Sequence, residues 1–261
     1  MNILDKIAAY KLKEVEAKKE TIPIRLLERF PLFSKETRSL AEALQNSSTG
    51  IIAEHKRRSP SKSVINEKVL LHEVVSGYEK AGASAISVLT DTNFFGGSLD
   101  DLLLTKNSVL LPVLRKEFIV DPYQIYEAKA YGADAILLIA ACLSAESLKQ
   151  FSHLAKSLKM DVLLEIHNRD ELEKSLLPNV DIIGVNNRNL KNFKVDIDTS
   201  KTLSEKIPKD FVKISESGIS RVETINDLKS YGFEGFLIGE TFMKTKNPGE
   251  TAKQFIKNLS L

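Results

Sequence analysis

The chain has 261 residues, 43% hydrophobic and 28% charged, and its 37 basic and 35 acidic side chains leave a formal charge of +2. That length suits a single domain of the barrel type, commonly about 250 residues, and the composition is that of a packed protein, not a disordered one. The charges are spread along the chain with no basic block, which argues against nucleic acid or a membrane surface as a partner.

In chain order, residues 1–50 come before the first strand-like run. Residues 3–19 mix charged and apolar side chains at helical spacing and predict an amphipathic helix, followed by a proline-containing stretch over 22–33. The first twenty residues hold no apolar stretch of the secretory type, and no later one reaches the roughly 18 apolar residues of a membrane span. A cytoplasmic protein is expected, so Asn46-Ser47-Ser48 reads as loop chemistry and not as a glycosylation acceptor.

Eight short apolar runs then recur, over 51–53, 85–89, 109–114, 135–139, 161–166, 181–185, 211–214 and 235–238. Between them lie segments of helical periodicity, among them 67–82, 122–132, 145–158 and 222–232, several closing on glycine. Residues 248–261 read as a final helix. Alternating strands and helices imply parallel strands with helical crossovers, and eight such units suit a closed (β/α)8 TIM barrel of the α/β class better than a doubly wound sheet. One domain over 1–261 is expected, with 1–50 as an N-terminal helical extension. The single cysteine, Cys142, lies in an apolar stretch and reads as a small core residue with no adjacent activating charge.

Barrel active sites lie at the C-terminal ends of the strands, so the polar residues that follow each run are the functional candidates. The first run leads into Glu54-His55-Lys56-Arg57-Arg58-Ser59-Pro60-Ser61, in which Glu54 and Lys56, two apart, share a face. The third ends in Arg115-Lys116-Glu117-Phe118, the fifth in Glu165-Ile166-His167, the sixth in Asn186-Asn187-Arg188-Asn189-Leu190, and the seventh in Ser215-Glu216-Ser217-Gly218. Each alone is as well explained by a solvated strand end. Together, carboxylates and lysines from strands one, three and five would converge on one pocket where burial and opposite charge separate acid from base roles.

Gly218 after run seven and Gly239 after run eight stand where phosphate-binding barrels bring backbone N–H groups to an anion, and so point to a phosphorylated substrate. His72 and His153 fall on predicted helices and read as surface or packing residues. His55 and His167 are expected to face away from the site, in a supporting layer. Phe94, Phe95 and Phe118 fit either core or the wall of an aromatic-binding pocket. Paired-cysteine spacing, HExxH and nucleotide loops are absent from the sequence.

These segments resemble the indole-3-glycerol-phosphate synthase family along nearly the whole chain. The resemblance rests on Ile3-Leu4-Asp5-Lys6-Ile7, on the run from Ile51 through Glu54 and Lys56 to Ser59-Pro60-Ser61, and on Ser87-Val88-Leu89-Thr90-Asp91 with Phe94-Phe95-Gly96-Gly97-Ser98. It continues through Pro112 to Ile119, Ile183 to Leu190 and Ser215 to Ile219. It implies a carbon–carbon lyase of tryptophan biosynthesis. Such an enzyme converts 1-(2-carboxyphenylamino)-1-deoxyribulose 5-phosphate to indole-3-glycerol phosphate, carbon dioxide and water, with no cofactor and no metal. By the same resemblance Glu54, Lys56, Lys116, Glu165, Asn186 and Glu216 are catalytic. Ser59, Phe95, Phe118, Arg188, Leu190 and Ser217 bind substrate, and Gly218, Gly239 and Glu240 lie at the phosphate. Glu240 departs from the family pattern, where serine is common, and is expected to turn its carboxylate away and leave backbone N–H groups to bind.

The implied partner is the small phosphorylated substrate. A monomer or weak homo-oligomer is expected, with another tryptophan-pathway enzyme as the candidate protein partner. The residues alone leave open a different phosphosugar isomerase or lyase, or a phosphate-binding barrel without catalysis, although pure binding would need the glycines and not the acid and base groups.

Overall fold

The computed structural model describes residues 3–190 and 192–259. Three helices, α1 (Ile3–Thr21), α2 (Ile24–Leu27) and α3 (Leu40–Gln45), precede β1 (Ile51–His55). There follow α4 (Leu71–Ala81), β2 (Ala85–Leu89), α5 (Leu99–Ser108), β3 (Val113–Lys116), α6 (Tyr123–Ala130) and β4 (Ala135–Ile139). A short 3-10 turn leads to α7 (Ala145–Ser157), β5 (Asp161–Ile166), α8 (Arg169–Glu173), β6 (Ile182–Asn186) and α9 (Asp198–Ser204). The chain ends with β7 (Val212–Glu216), α10 (Val222–Ser230), β8 (Gly235–Ile238), α11 (Glu240–Met243) and α12 (Pro248–Leu259). All eight strands are parallel, each paired with the next and β8 with β1, which closes the barrel.

Strand alternation divides the core in two. One set of side chains, including Val88, Val113, Ile136, Leu138, Val162, Leu164 and Ile183, points outward into the layer shared with the helices. The other, including Ile52, Leu114, Leu137, Leu163, Ile182, Ile214 and Leu237, fills the barrel interior. Leu40 and Leu44 of α3 join that interior cluster and plug the end away from the strand C-termini. The Ser39 hydroxyl caps α3 by accepting from the Glu42 N–H at 3.1 Å, and so fixes where that plug begins. Gly50, entering β1, has φ +67° and lies so close to the Glu234 carbonyl that a side chain would collide with it.

The structure moves one predicted strand. Residues 109–112 are not part of β3: Val109 caps α5, Leu110 is 79% exposed, and Pro112 has no N–H to give to a ladder. An apolar run spilling from a helix end into a connection reads like a strand until its burial is known. Elsewhere the expected elements stand within a few residues, with Gly82 as the left-handed C-cap of α4 at φ +89°. The predicted C-terminal helix extends to the last described residue, and its expected residues 260–261 lie outside the described ones. Cys142 is half-buried in the 3-10 turn, where burial and the neighbouring Glu165 and Glu171 charges push its thiol up to about 12. None of the described helices is long and apolar enough to cross a membrane.

Candidate active site

The interior alternation continues upward into the polar layer. Glu54 stands two residues above Ile52, Lys116 above Leu114, Glu165 above Leu163, and Glu216 above Ile214, so each functional side chain is the next inward position on a strand whose lower position is core. Above this layer opens a cavity of about 370 Å³. Its lining includes every residue that the resemblance assigns to the site, Glu54, Lys56, Ser59, Phe95, Lys116, Phe118, Glu165, Asn186, Arg188, Leu190, Glu216, Ser217, Gly218, Gly239 and Glu240, whereas Phe94 does not line it.

The charges are paired unevenly. Lys56 Nζ lies 2.6 Å from Glu54 Oε1, while Lys116 Nζ lies 2.6 Å from Glu216 Oε2 and 3.8 Å from Glu165 Oε2. Burial alone would drive the Lys116 ammonium toward neutrality, but the Glu216, Glu165 and Glu54 charges outweigh it and hold it protonated. Burial likewise opposes ionisation of Glu54, and Lys56 and Lys116 reverse that. Three carboxylates thus surround two lysines. The surplus falls on Glu216, 1% exposed, which burial together with the like charges of Glu165 and Glu54 pushes up against the pull of Lys116. The throat therefore holds a protonated lysine, an ionised carboxylate and a carboxyl able to carry a proton.

Two glycines make room for these carboxylates. A Cβ on Gly184 of β6 would stand 2.5 Å from Glu216 Oε1, and one on Gly239 would stand 2.5 Å from Glu54 Oε1. Gly239 thus has a steric duty in addition to its expected place at an anion. After β7, Ser217 and Gly218 are both left-handed, at φ +69° and +80°, and a Cβ on Gly218 would meet the Val195 side chain at 2.3 Å. Asn186 accepts from the Arg188 N–H at 3.0 Å, and the Arg188 guanidinium donates to the Phe193 carbonyl at 3.2 Å, which tethers the loop after β6 to itself. Glu240 is engaged by Lys62 at 3.0 Å, both side chains being exposed at the rim; burial opposes its ionisation, and that lysine with Lys56 and Arg188 outweighs it and holds its carboxyl low.

An apolar wall faces this polar floor. The Phe95 and Phe118 rings pack with centroids 5.9 Å apart, and Ile3, Leu4 and Ile7 of α1 also line the cavity. Sequence reasoning missed those three, because helical periodicity shows that a face is apolar without showing what it covers. It also passed over Asp91, Glu117 and Lys244. The first two lie within two residues of a strand end, so the rule of examining polar residues after each run could have found them. Lys244 is one lysine among several in a polar segment and carries no such signal.

The two histidines beside the site part company. His55 faces outward as expected, 1% exposed, and burial and the Arg57 charge lower its imidazole to about 4. His167 does not face away: its Nε2 is 3.4 Å from Glu165 Oε1. Residues 165 and 167 are two apart and share a face, so the expected outward orientation is corrected by the alternation itself.

The family model for indole-3-glycerol phosphate synthase matches residues 4–258. The chain belongs to the indole-3-glycerol phosphate synthase family. Proteins of that name from Bacteroides thetaiotaomicron and Legionella pneumophila (strain Paris) are 48% and 44% identical to it, each over 256 residues and 98% of both chains. Another from Caldanaerobacter subterraneus is 45% identical over 258 residues, again covering 98% of each. Among solved structures, the tryptophan synthase α subunit from Legionella pneumophila superposes with a TM-score of 0.62 over 84% of this chain and 96% of that one. At 12% identity that likeness concerns the barrel alone.

Proposed function

We propose that this member of the indole-3-glycerol phosphate synthase family converts 1-(2-carboxyphenylamino)-1-deoxyribulose 5-phosphate to indole-3-glycerol phosphate, carbon dioxide and water. The observation that carries the reading is the Lys116 ammonium held between Glu216 and Glu165 on the floor of a half-apolar cavity. The aromatic ring fits the Phe95 and Phe118 wall, and Leu190 and Ser59 border the same space. Arg188 serves the ring carboxylate. The phosphate meets the backbone around Ser217, Gly218 and Gly239 at the opposite rim, while Lys62 neutralises Glu240.

As the carboxylate-bearing ring carbon attacks the ketone, its oxygen gains negative charge, and Lys116 supplies the proton. Carbon dioxide then leaves from the same ring carbon and aromaticity returns. Dehydration follows: Glu165 removes a proton from the carbon beside nitrogen, and a lysine, Lys56 or Lys116, assists hydroxide departure. Glu54 pairs with Lys56 at 2.6 Å and helps to keep Lys116 charged, Glu216 restores the Lys116 proton, and Asn186 orients the sugar hydroxyls. No cofactor enters this scheme. One chain supplies every group of the site, which supports a single domain over the whole chain with residues 1–50 as an extension; we propose that it acts in the cytoplasm, as a monomer or weak homo-oligomer. Another tryptophan-pathway enzyme is the candidate protein partner.

The test is to add purified protein to the anilino-deoxyribulose phosphate and follow indole fluorescence between pH 6 and 9. Stoichiometric indole-3-glycerol phosphate is expected. Absence of product at every pH would overturn the assignment.

A further inference from the structure

His167 has no part in the scheme above, yet it is the side chain that backs Glu165. Its place is set by local helix-capping chemistry. Asn168 caps α8 by accepting from the Glu171 N–H at 2.9 Å, and its amide donates back to Glu171 Oε1 at 2.7 Å. The other oxygen, Oε2, accepts from the His167 backbone N–H at 2.8 Å and lies 3.0 Å from the ring Nδ1. The Glu171 carboxylate is thus fully committed, and burial, which opposes its ionisation, is outweighed by His167 and Asn168.

A carboxylate that only accepts assigns the ring proton to Nδ1. Nε2 then faces Glu165 Oε1 at 3.4 Å, a buried nitrogen with no hydrogen-bond partner among the described residues. A neutral ring would aim an Nε2 lone pair at that oxygen, which is favourable only if the oxygen itself carries a proton. One proton therefore belongs to the pair, either on the ring or on Glu165. Only the first state leaves Glu165 able to act as a base.

We propose that His167 is a positioning residue which, with its tautomer fixed by Glu171, keeps the pair's proton on its own ring, so that Glu165 meets the substrate as an ionised base. The inference rests on the reading of Glu165 as the dehydration base. The surroundings favour the charged ring. Burial would push the imidazole down, but the Glu171 hydrogen bond and the charges of Glu165, Glu171 and Glu216 raise it. The remaining neighbours are few. Cys142, from the turn after β4, stays a neutral thiol, and the charges of Asp5 on α1 and Lys174 after α8 reach it. Lys174 itself is engaged with the Ala140 and Leu143 carbonyls, at 2.6 and 2.9 Å. Lys116, from β3, is the cation on the other side of Glu165.

The experiment is the pH profile of kcat and KM for the wild-type chain and for His167→Asn, Glu171→Gln and Glu165→Gln, with far-UV circular dichroism and Tm confirming the fold. Removing a positive charge beside a base makes its ionised form harder to keep. In His167→Asn the acid limb of kcat should therefore move to higher pH by about one unit or more. On the acid side of the limb activity should fall about tenfold and it should recover toward pH 9, with KM within a factor of about three. Glu171→Gln should move the limb in the same direction by less. A loss equal at all pH values, or an unmoved limb, would mean that His167 only supports the strand end. An inactive Glu165→Gln beside an unmoved limb overturns this inference alone, whereas a near-normal Glu165→Gln removes the base and the inference with it.

Discussion

Lys116 is where the chemistry and the electrostatics of the throat coincide. Its ammonium answers Glu216 at 2.6 Å and Glu165 at 3.8 Å, and it is the group placed to meet charge developing on the ketone oxygen. Lys116→Ala should lower kcat by two to four orders of magnitude, roughly the loss of a general acid and an oxyanion donor together. The fold should remain, because the surplus carboxylates left behind can take up protons. Steady-state kinetics beside far-UV circular dichroism reads both, and a folded variant with near-normal kcat would take Lys116 out of the mechanism. At this scale the sequence was largely readable: Glu54, Lys116, Glu165 and Glu216 are the inward positions above Ile52, Leu114, Leu163 and Ile214, and alternation alone marks them. What it does not mark is the pairing. That Lys116 belongs to Glu216, and that Gly184 vacates the space in which Glu216 lies, depends on distances between strands that no spacing encodes.

Among the elements, α1 has the least readable role and the strongest hold on the site. Its amphipathic pattern predicts a helix, and the helix is there, but its buried Lys11 is what docks it. Lys11 Nζ reaches Asp91 Oδ2 and Glu14 Oε2, both at 2.9 Å, and Glu117 Oε1 at 3.4 Å, joining the helix to the segments that follow β2 and β3. Those segments carry Phe95 and Phe118, and Asp91 also accepts from the Phe94 and Phe95 N–H groups at 2.6 and 3.1 Å. Tyr10 meets Phe94 edge-on at a centroid distance of 5.7 Å. A lysine in a charged, helical stretch reads as solvated, and only the tertiary partner shows otherwise. Lys11→Met would leave Asp91 and Glu117 buried without their shared cation, a change that costs about 3–5 kcal/mol when a buried pair loses one member. Urea unfolding at neutral pH measures that loss. KM should rise as well, since Ile3, Leu4 and Ile7 would no longer be held over the cavity. A variant within about 1 kcal/mol of the parent would show that apolar packing, and not Lys11, docks the helix.

Across the whole molecule, eight apolar runs separated by helical segments were enough to reach a closed parallel barrel, because the alternation leaves few other ways to bury both faces of each strand. The exception, residues 109–112, shows the limit: an apolar connection and a strand look alike in sequence, and burial separates them. The same two-layer burial makes the molecule sensitive to acid on the outward face of β1, behind the catalytic layer. His55 lies on the outward face of β1, 1% exposed, beside the Arg57–Asp101 pair, whose contacts are 2.6 and 2.9 Å. Burial and Arg57 lower its imidazole from 6.5 to about 4, against the opposing pull of Asp101 and Glu54. Above pH 6.5 the ring is neutral in both folded and unfolded chains and contributes no pH dependence. Between 6.5 and 4 the unfolded chain binds a proton that the folded chain refuses, so stability falls as pH falls, by on the order of 3 kcal/mol over the window. Glu54, Asp101 and Glu171 also lose stabilisation in acid, but they do so equally in a variant that keeps them. His55→Gln should therefore unfold with a shallower dependence on pH, its free energy gaining on the parent's by about that amount between pH 7 and pH 4. Denaturant titrations at half-unit steps give the difference directly, and two parallel curves would show that the ring takes up its proton in the folded barrel.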